Sequence, residues 1–540
     1  MGLYLDSSDS LTLYKKIRDS KWYIDKTEIL SELIDRIGTT ENYICVTRPR
    51  RFGKTVAANM IAAYFSQNLD SKAIFDGSKI SENPNYDKFI NSYHVISIDF
   101  SKIDDMCQNY DQYISTIKDI LVNDLYNAFP EVQFREGSSV VEDLRKIFDC
   151  TGTQFVFVLD EWDAVFHMSF IGEEDRARYL LFLRNLLKDQ AYVALAYMTG
   201  ILPIAKYSSG SELNMFLEYT MALEERFSKY FGFLQNEVDE LYRRYLKLES
   251  NPRIALEDLG KWYDGYHTFA GDRVYNPRSV VVALTNNNLG NYWTSAGPYD
   301  EIFYYIKNNV NGVKDDLARM ITGDKVRCEA KEYAATSMNL KTRDEILSAM
   351  VVYGFLSYTD GFVMIPNQEL MGQFADMLEK EESLGYVHRL ALESEKVLEA
   401  TLAGEEATIA RILEQFHDTE APILMYNNES DLSAIVNLAY LSARDRYDVQ
   451  REDKSGKGFV DFIFYPKRRD EVGIILELKV DDSADKALKQ IKDKNYIQRF
   501  KGKVAEKQEV KDVVFVGISY DKVSKKHTCK IEMKHVKQGV

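Results

Sequence analysis

The segment TRPRRFGKT, residues 47–55, closes on Phe52-Gly53-Lys54-Thr55. Those types in that order are suited to gripping phosphate. Lys54 would reach the β- and γ-phosphates of a nucleotide, and the Thr55 hydroxyl would join the shell of a Mg²⁺ ion. The glycine expected five places before Gly53 is missing, and Arg48 stands there. A second group supplies the acids such a site needs. FVFVLDEWD, residues 155–163, is an apolar run that ends abruptly in Asp160 and Glu161. Asp160 would hold Mg²⁺ through its shell, and Glu161 would polarise an attacking water. The alternative is a buried strand followed by a solvated acidic turn.

A third group lies near the other end of the chain. Within GFVDFIFYPKRRDEVGIILELKV, residues 458–480, Asp461, Glu477 and Lys479 interrupt otherwise apolar strands. Residues two apart on a strand share a face, so Glu477 and Lys479 lie together, and a hairpin would bring Asp461 beside them. Charges on buried strands are costly unless paired or used. Two carboxylates and the Leu478 carbonyl form an oxygen donor set for Mg²⁺, with Mn²⁺ as a substitute. Lys479 would orient the water or stabilise charge developing on phosphate. The plainer reading is a structural Glu–Lys pair at a sheet edge.

The elements that must present these residues follow from hydrophobic periodicity. Residues 43–47, 94–100, 154–160 and 192–198 are short runs rich in β-branched and aromatic residues. Segments with helical spacing, such as 111–128 and 173–189, lie between them. That alternation predicts an α/β fold with a mostly parallel sheet, whose ligands bind beyond the carboxyl ends of the strands. The strand 43–47, the loop 48–53 and a helix from Lys54 give the order a phosphate loop requires. Residues 94–100 are expected to be the strand inserted between the phosphate-loop and acidic strands. Thr199, ending VALAYMTG, is a candidate γ-phosphate sensor, or simply a strand-ending threonine. Pro49 fixes its own φ and biases Arg48 toward an extended backbone. Arg50 and Arg51 add positive charge that meets phosphate or pairs with acids elsewhere.

From 222 to about 420 the pattern turns helical, with WYDGY (262–266) and VYNP (274–277) reading as a packed lid joint. The last 115 residues return to mixed α/β, with a helix at 430–444, strands near 446–451, 458–465 and 472–480, a helix at 484–499 and a strand at 512–519. The expected domains are 1–221, 222–424 and 425–540.

Composition bounds the rest. A chain of 540 residues exceeds one hydrophobic core, and 45% hydrophobic with 28% charged residues excludes extended disorder. Five scattered cysteines without a CxxC pair argue against a disulfide framework or zinc site. No apolar stretch is long enough to span a membrane and no basic-apolar leader opens the chain, so a cytoplasmic protein is expected. A net charge of −16 opposes general coating of nucleic acid, yet residues 485–540 carry fifteen Lys/Arg against seven Asp/Glu.

RPRRFGKT, VLDEWD, TGILPIAKYS and WYDGYHTF…VYNPRSVV, in that order over roughly residues 11–300, resemble the predicted AAA-ATPase-like family of bacteria. The resemblance makes Arg48 the usual residue of the loop rather than a lesion. It also implies that Arg48, Pro49, Arg50, Arg51, Phe52, Gly53, Lys54, Thr55, Asp160 and Thr199 surround ATP. SGKGFVDF, ILELKV and ALKQIKDKNY, over about 425–521 in αβββαβ order, resemble the PD-(D/E)XK nuclease superfamily, whose fold is restriction-endonuclease-like. That resemblance gives Gln490 the role of the auxiliary glutamine and matches Glu429 to an acidic helix residue. Val460 replaces the family's proline. The combined expectation is an ATPase joined to a Mg²⁺-dependent nuclease acting on nucleic acid, DNA before RNA, with room for a homo-oligomer. The rival is a nucleotide-dependent switch whose C-terminal fold binds nucleic acid without cutting it.

Overall fold

The computed structural model describes residues 2–102, 104–204, 212–221, 224–293, 304–308, 312–321, 323–329, 340, 342–380, 382, 386–420, 429–455, 458–467, 471–498, 500, 510 and 512–535. The chain forms two compact units, one of residues 1–303 and 327–370, the other of 304–326 and 371–540.

The first unit is built on five parallel strands. They are β1 (Tyr43–Thr47), β2 (His94–Asp99), β3 (Phe155–Asp160), β4 (Val193–Gly200) and β5 (Leu217–Tyr219), ordered β2-β3-β4-β1-β5. Helices cover both faces, which is why these strands read as continuous apolar runs. Phe155, Phe157 and Leu159 of β3 face one core, with α3 (Tyr110–Ala128), α4 (Val140–Thr151) and α5 (Glu173–Leu187). Val156 and Val158 face the other, with α1 (Ser8–Arg18) and α2 (Lys54–Phe65).

The order corrects one expectation. The strand inserted between the phosphate-loop strand β1 and the acidic strand β3 is β4, whereas 94–99 forms the outer strand β2. Apolar periodicity reports burial on both faces but not neighbour order. The middle region is also not purely helical. Two- and three-residue strands β6 (Phe233–Leu234), β7 (Tyr266–His267) and β8 (Arg273–Tyr275) pair antiparallel in the order β6-β8-β7. They are too short for a period of two to show. Between and after them run α6 (Leu256–Tyr263), α7 (Pro277–Asn286) and, further on, α8 (Gln368–Lys380).

In the second unit, β9 (Tyr447–Ser455), β10 (Gly458–Pro466), β11 (Gly473–Val480), β12 (Asp512–Asp521) and β13 (Lys526–His535) lie side by side in chain order. Only β11 and β12 run parallel; the other pairs are antiparallel. The helix α9 (Glu429–Ala439) precedes the sheet, and α10 (Ala484–Asp493) is the crossover between β11 and β12. The crossover helix is shorter than expected because Asn495 adopts a left-handed φ of 54°. Tyr496 therefore leaves the helix and is buried in the core beside Ile491 and Phe500. The strand β13 was not anticipated.

The outer strand β2 would present unpaired backbone to solvent, a hazard for edge pairing. Residues 4–6 cover it: Ser97 N–H donates to the Tyr4 carbonyl at 2.9 Å and Asp6 N–H to the Val95 carbonyl at 2.8 Å. Asp6 anchors this segment. Its buried carboxylate accepts from Ser66 Oγ (2.7 Å), Asn68 Nδ2 (2.7 Å), His94 Nδ1 (2.6 Å) and Val95 N–H (2.9 Å). Burial alone would raise its pKa, but the bonds from His94, Val95 and Ser66 outweigh burial and hold it below the ordinary value. A depressed folded pKa contributes stability above the unfolded value of about 3.9, lost as pH falls through the folded pKa. Asp6→Ala should therefore destabilise this edge by about 3 kcal/mol at pH 7. Hydrogen exchange should show lost protection over residues 2–6 and 94–99, with the deficit relative to wild type shrinking below pH 4. Unchanged exchange at neutral pH would show that Asp6 is not the anchor.

Candidate functional sites

The phosphate loop runs from the end of β1 into α2. Its left-handed residues are Arg51 (φ 71°) and Gly53 (φ 94°), while Arg48 keeps an ordinary negative φ. An added Cβ at Gly53 would meet nothing within 4 Å, so the glycine is required by backbone conformation and not by space. Gly53 is the N-cap of α2 and supplies no side-chain cap. The first-turn amides are thereby left for an anion, with the positive end of the helix behind them.

Arg48 points into the fold and is not among the residues that line the cavity over the loop. It is 1% exposed, and its Nη1 donates to the carbonyls of Thr47 and Tyr219, both at 2.8 Å. Its guanidinium lies 5.1 Å from the Phe231 ring centroid. Burial lowers its pKa to about 10, so it remains a cation at neutral pH and ties the loop to β5. Pro49 and Phe52 are packing residues of the loop. A Cβ on Gly354 would lie 2.7 Å from Pro49 Cβ. Buried Phe52 meets Tyr266 of WYDGY edge to face at 5.1 Å, and the Phe52 carbonyl accepts from Gly232 N–H at 3.2 Å. The lid-joint motif thus braces the loop from behind.

Lys54, 4% exposed, folds back on the loop and donates to the carbonyls of Arg48 (3.1 Å) and Pro49 (3.2 Å). Its Nζ is 3.9 Å from Glu161 Oε1. The Thr55 hydroxyl hydrogen-bonds Asp160, which is buried. Burial, then the neighbouring charge of Glu161, pushes the Asp160 pKa up to about 7, although Thr55 and Lys54 pull the other way. Glu161 has left-handed φ (50°) and a pKa raised chiefly by burial, with Lys54 opposing. An acid so strongly under-compensated fits a divalent cation among Thr55 and Asp160, both hard oxygen donors.

Thr199 ends β4 between these strands, but its hydroxyl donates to the Val46 carbonyl at 2.8 Å and is fully buried. Gly200 follows because a Cβ there would fall 2.4 Å from Asp163 Oδ1 and 2.6 Å from Trp162 Cδ1. Asp163, the last acid of DEWD, accepts from Ile201 N–H (3.0 Å) and Leu202 N–H (2.8 Å), locking the turn after β4 to the acidic motif. Lys206, Tyr207 and Ser208 of TGILPIAKYS lie outside the described residues.

A cavity of about 740 Å³ opens over the loop. Arg50, Arg51, Lys54, Thr55 and Glu161 give its polar lining, and Tyr14, Trp22, Ile24, Phe233 and Val281 are among its apolar lining. That mixed lining suits a nucleotide, with phosphates on the loop and a base among aromatic and aliphatic walls. Two residues of the polar lining escaped the sequence reading. Asp99 ends β2 opposite Asp160 in register, and an apolar strand ending in an acid, HVISID, was its visible signal. Arg278, the second residue of α7, also lines the cavity. Its signal was the Pro-Arg of VYNPRS, a segment whose sequence alone suggests packing.

The second site lies on the sheet of the other unit. The pairing of β10 with β11 ends at Phe462–Leu476, and Asp461 and Glu477 are the next residue on each strand. Asp461 Oδ2 accepts from Leu478 N–H at 2.7 Å. Lys479 Nζ lies 3.3 Å from Glu477 Oε1 and donates to the Leu478 carbonyl at 2.8 Å. Gln490, on α10, donates to the same Glu477 oxygen. The sequence-predicted Asp461, Glu477, Leu478, Lys479 and Gln490 are therefore brought together. Glu477 is 2% exposed, and no donor among the described residues reaches its Oε2. Burial, then Asp461, raises its pKa to about 7, with Lys479 opposing. An orphaned buried carboxylate oxygen beside a second carboxylate and a carbonyl fits a hard divalent cation.

Glu429 opens α9, but its side chain lies outside the described residues. Much of the basic charge here is paired: Lys486 with Asp482, Lys492 with Glu532, Lys522 with Asp481 and Lys530 with Glu406. No helix among the described residues is long and apolar enough to cross a membrane.

Comparison with known proteins finds two families along the chain. Residues 10–209 match the family described as predicted AAA-ATPase, and residues 427–529 match the PD-(D/E)XK nuclease superfamily. A curated relative from Azotobacter chroococcum mcd 1, called an uncharacterized protein in the vnfD 5′ region, is 25% identical over 291 residues. The match takes in 53% of this chain and 52% of the relative, so the chain spans about half the length of the curated relative it matches. Among solved structures, a Walker-type ATPase of Pyrococcus abyssi is 13% identical, over 64% of this chain and 93% of that one, with a TM-score of 0.34. The ORC2 protein of Aeropyrum pernix, in ADPNP–ADP complexes, is 11% identical over 68% and 94%, with a TM-score of 0.31. Residues 10–209 are a predicted AAA-ATPase domain, and residues 427–529 are a domain of the PD-(D/E)XK nuclease superfamily.

Proposed function

We propose that the chain hydrolyses ATP at the first site and, under the control of that reaction, cuts phosphodiester bonds of DNA at the second. Magnesium would serve both sites, with manganese able to replace it at the second. The observation that carries the first half is Lys54 poised between two loop carbonyls and Glu161, beside the Thr55–Asp160 pair, in the polar lining of a nucleotide-sized cavity. Its counterpart in the second half is Glu477, held by Lys479 and Gln490 and near Asp461.

At the first site, Lys54 would exchange loop carbonyls for phosphate oxygens, gaining a charged partner for two neutral ones. Glu161, its pKa raised by burial, is suited to take a proton from water. Arg50, Arg51 and Arg278, which also line the cavity, would meet charge on the phosphoryl group. Thr55 with Asp160, and Asp461 with Glu477 and the Leu478 carbonyl, would hold the divalent cations. A bound cation supplies Lewis-acid polarisation of phosphate oxygens. At the second site, Gln490 fixes Glu477, and Lys479 would turn its ammonium to a phosphate oxygen or to the attacking water.

Glu161→Gln should keep ATP binding while lowering turnover by about 10²-fold or more, and Lys54→Ala should lose both. Turnover of either variant at the wild-type rate, measured by phosphate release, would remove this assignment. Glu477→Ala and Lys479→Ala should each lower cleavage of plasmid and single-stranded DNA by about 10²-fold or more, with ATP turnover kept. RNA run in parallel decides the substrate. Equal cleavage by wild type and both variants would leave the second reading, binding without cutting, as the survivor.

A further inference from the structure

One buried carboxylate outside the cavity holds the supports of two arginines that line it. Glu369, the second residue of α8, is 1% exposed. Its Oε1 accepts from Ser279 Oγ (3.0 Å), Tyr292 N–H (2.6 Å) and Trp293 N–H (2.7 Å). The Tyr292 carbonyl then accepts from Arg51 Nη1 at 2.8 Å. Ser279 follows Arg278 in the first turn of α7, where the Asn276 side chain caps its N–H at 3.2 Å. One branch of this network therefore ends at Arg51, and the other at the residue that follows Arg278.

The arrangement answers a physical difficulty. Arg51 sits in left-handed backbone, which costs a non-glycine residue about 1 kcal/mol, so its place must be fixed from outside. Arg51 and Arg278 also repel each other, whereas the charge of Glu369 attracts Arg51. A hydrophobic wall could pack the same segments but could not keep two cations together before a ligand arrives. Fixed donors aimed at an anion are effective because they need no reorganisation on binding.

We propose that Glu369 is the positioning residue for Arg51 and Arg278, presetting both guanidinium groups toward the phosphates of a bound nucleotide. The proposal rests on the nucleotide reading of the cavity. Glu369→Gln keeps size and an acceptor oxygen but removes the charge; Glu369→Ala removes both. ATP affinity by competition with a fluorescent ATP analogue, KM, kcat and melting without nucleotide are measured for both, and for Glu369→Gln in an Arg51→Ala, Arg278→Ala background.

Glu369→Gln should melt near wild type yet bind ATP about tenfold more weakly, with KM raised in step. In the arginine-free background the same change should cost less than about twofold, because the groups it positions are gone. An equal loss in both backgrounds would mark Glu369 as a structural residue and overturn the proposal. So would a Glu369→Gln protein with wild-type affinity, even if Glu369→Ala fails to fold. A wild-type protein that binds no ATP overturns the nucleotide reading itself, an outcome distinct from either of these.

Discussion

Lys54 is the counter-charge on which the first site depends. Asp160, Glu161 and Asp163 all lie within reach of its field, and Asp99 adds to the repulsion among them. One ammonium does not balance that group: Asp160 is still pushed to about 7 and Glu161 is still raised. The same cavity is also lined by three arginines, Arg50, Arg51 and Arg278. Acids at the strand ends and arginines in the lining suit a guest that brings both signs of charge. It is a polyanion carrying its own cation, which is what a metal-bound triphosphate is.

The second site meets the same constraint on a smaller scale. Glu477 is buried, lies near Asp461 and has one ammonium nearby, and its pKa also reaches about 7. In both units a strand that is apolar to its last turns delivers acids where solvent cannot screen them. Unscreened acids are expensive to the fold, and each site offsets the cost with a single lysine that also touches main-chain carbonyls. Bonds to neutral carbonyls leave each ammonium able to take a stronger, anionic partner.

What could be read from sequence follows from how each feature is encoded. The strands that carry Asp160 and Glu477 are buried on both faces at those residues, so their acids stand out against continuous apolar runs. Asp461 was legible because an antiparallel hairpin fixes its partner by register. The position of β4 between β1 and β3 was not, since strand order is decided by crossovers and not by periodicity. Arg278 and Glu369 were not legible for another reason. They lie more than 200 and 300 residues from the loop they serve, and each sits on an ordinary helix whose pattern speaks only of packing.

The missing glycine of the phosphate loop is explained by where its replacement points. A glycine is needed where φ is positive, and the loop places that demand on Arg51 and Gly53, leaving position 48 free to carry a side chain. Arg48 then turns away from the cavity and joins the Tyr219 carbonyl of a strand only three residues long. A strand so short has little pairing of its own to hold it beside β1. The arginine is thus a fastener between the loop and the sheet edge, while Lys54, Arg50 and Arg51 are left on the cavity. The three arginines of RPRR and Arg278 thus divide by place: Arg48 is buried in the fold, and the other three line the cavity.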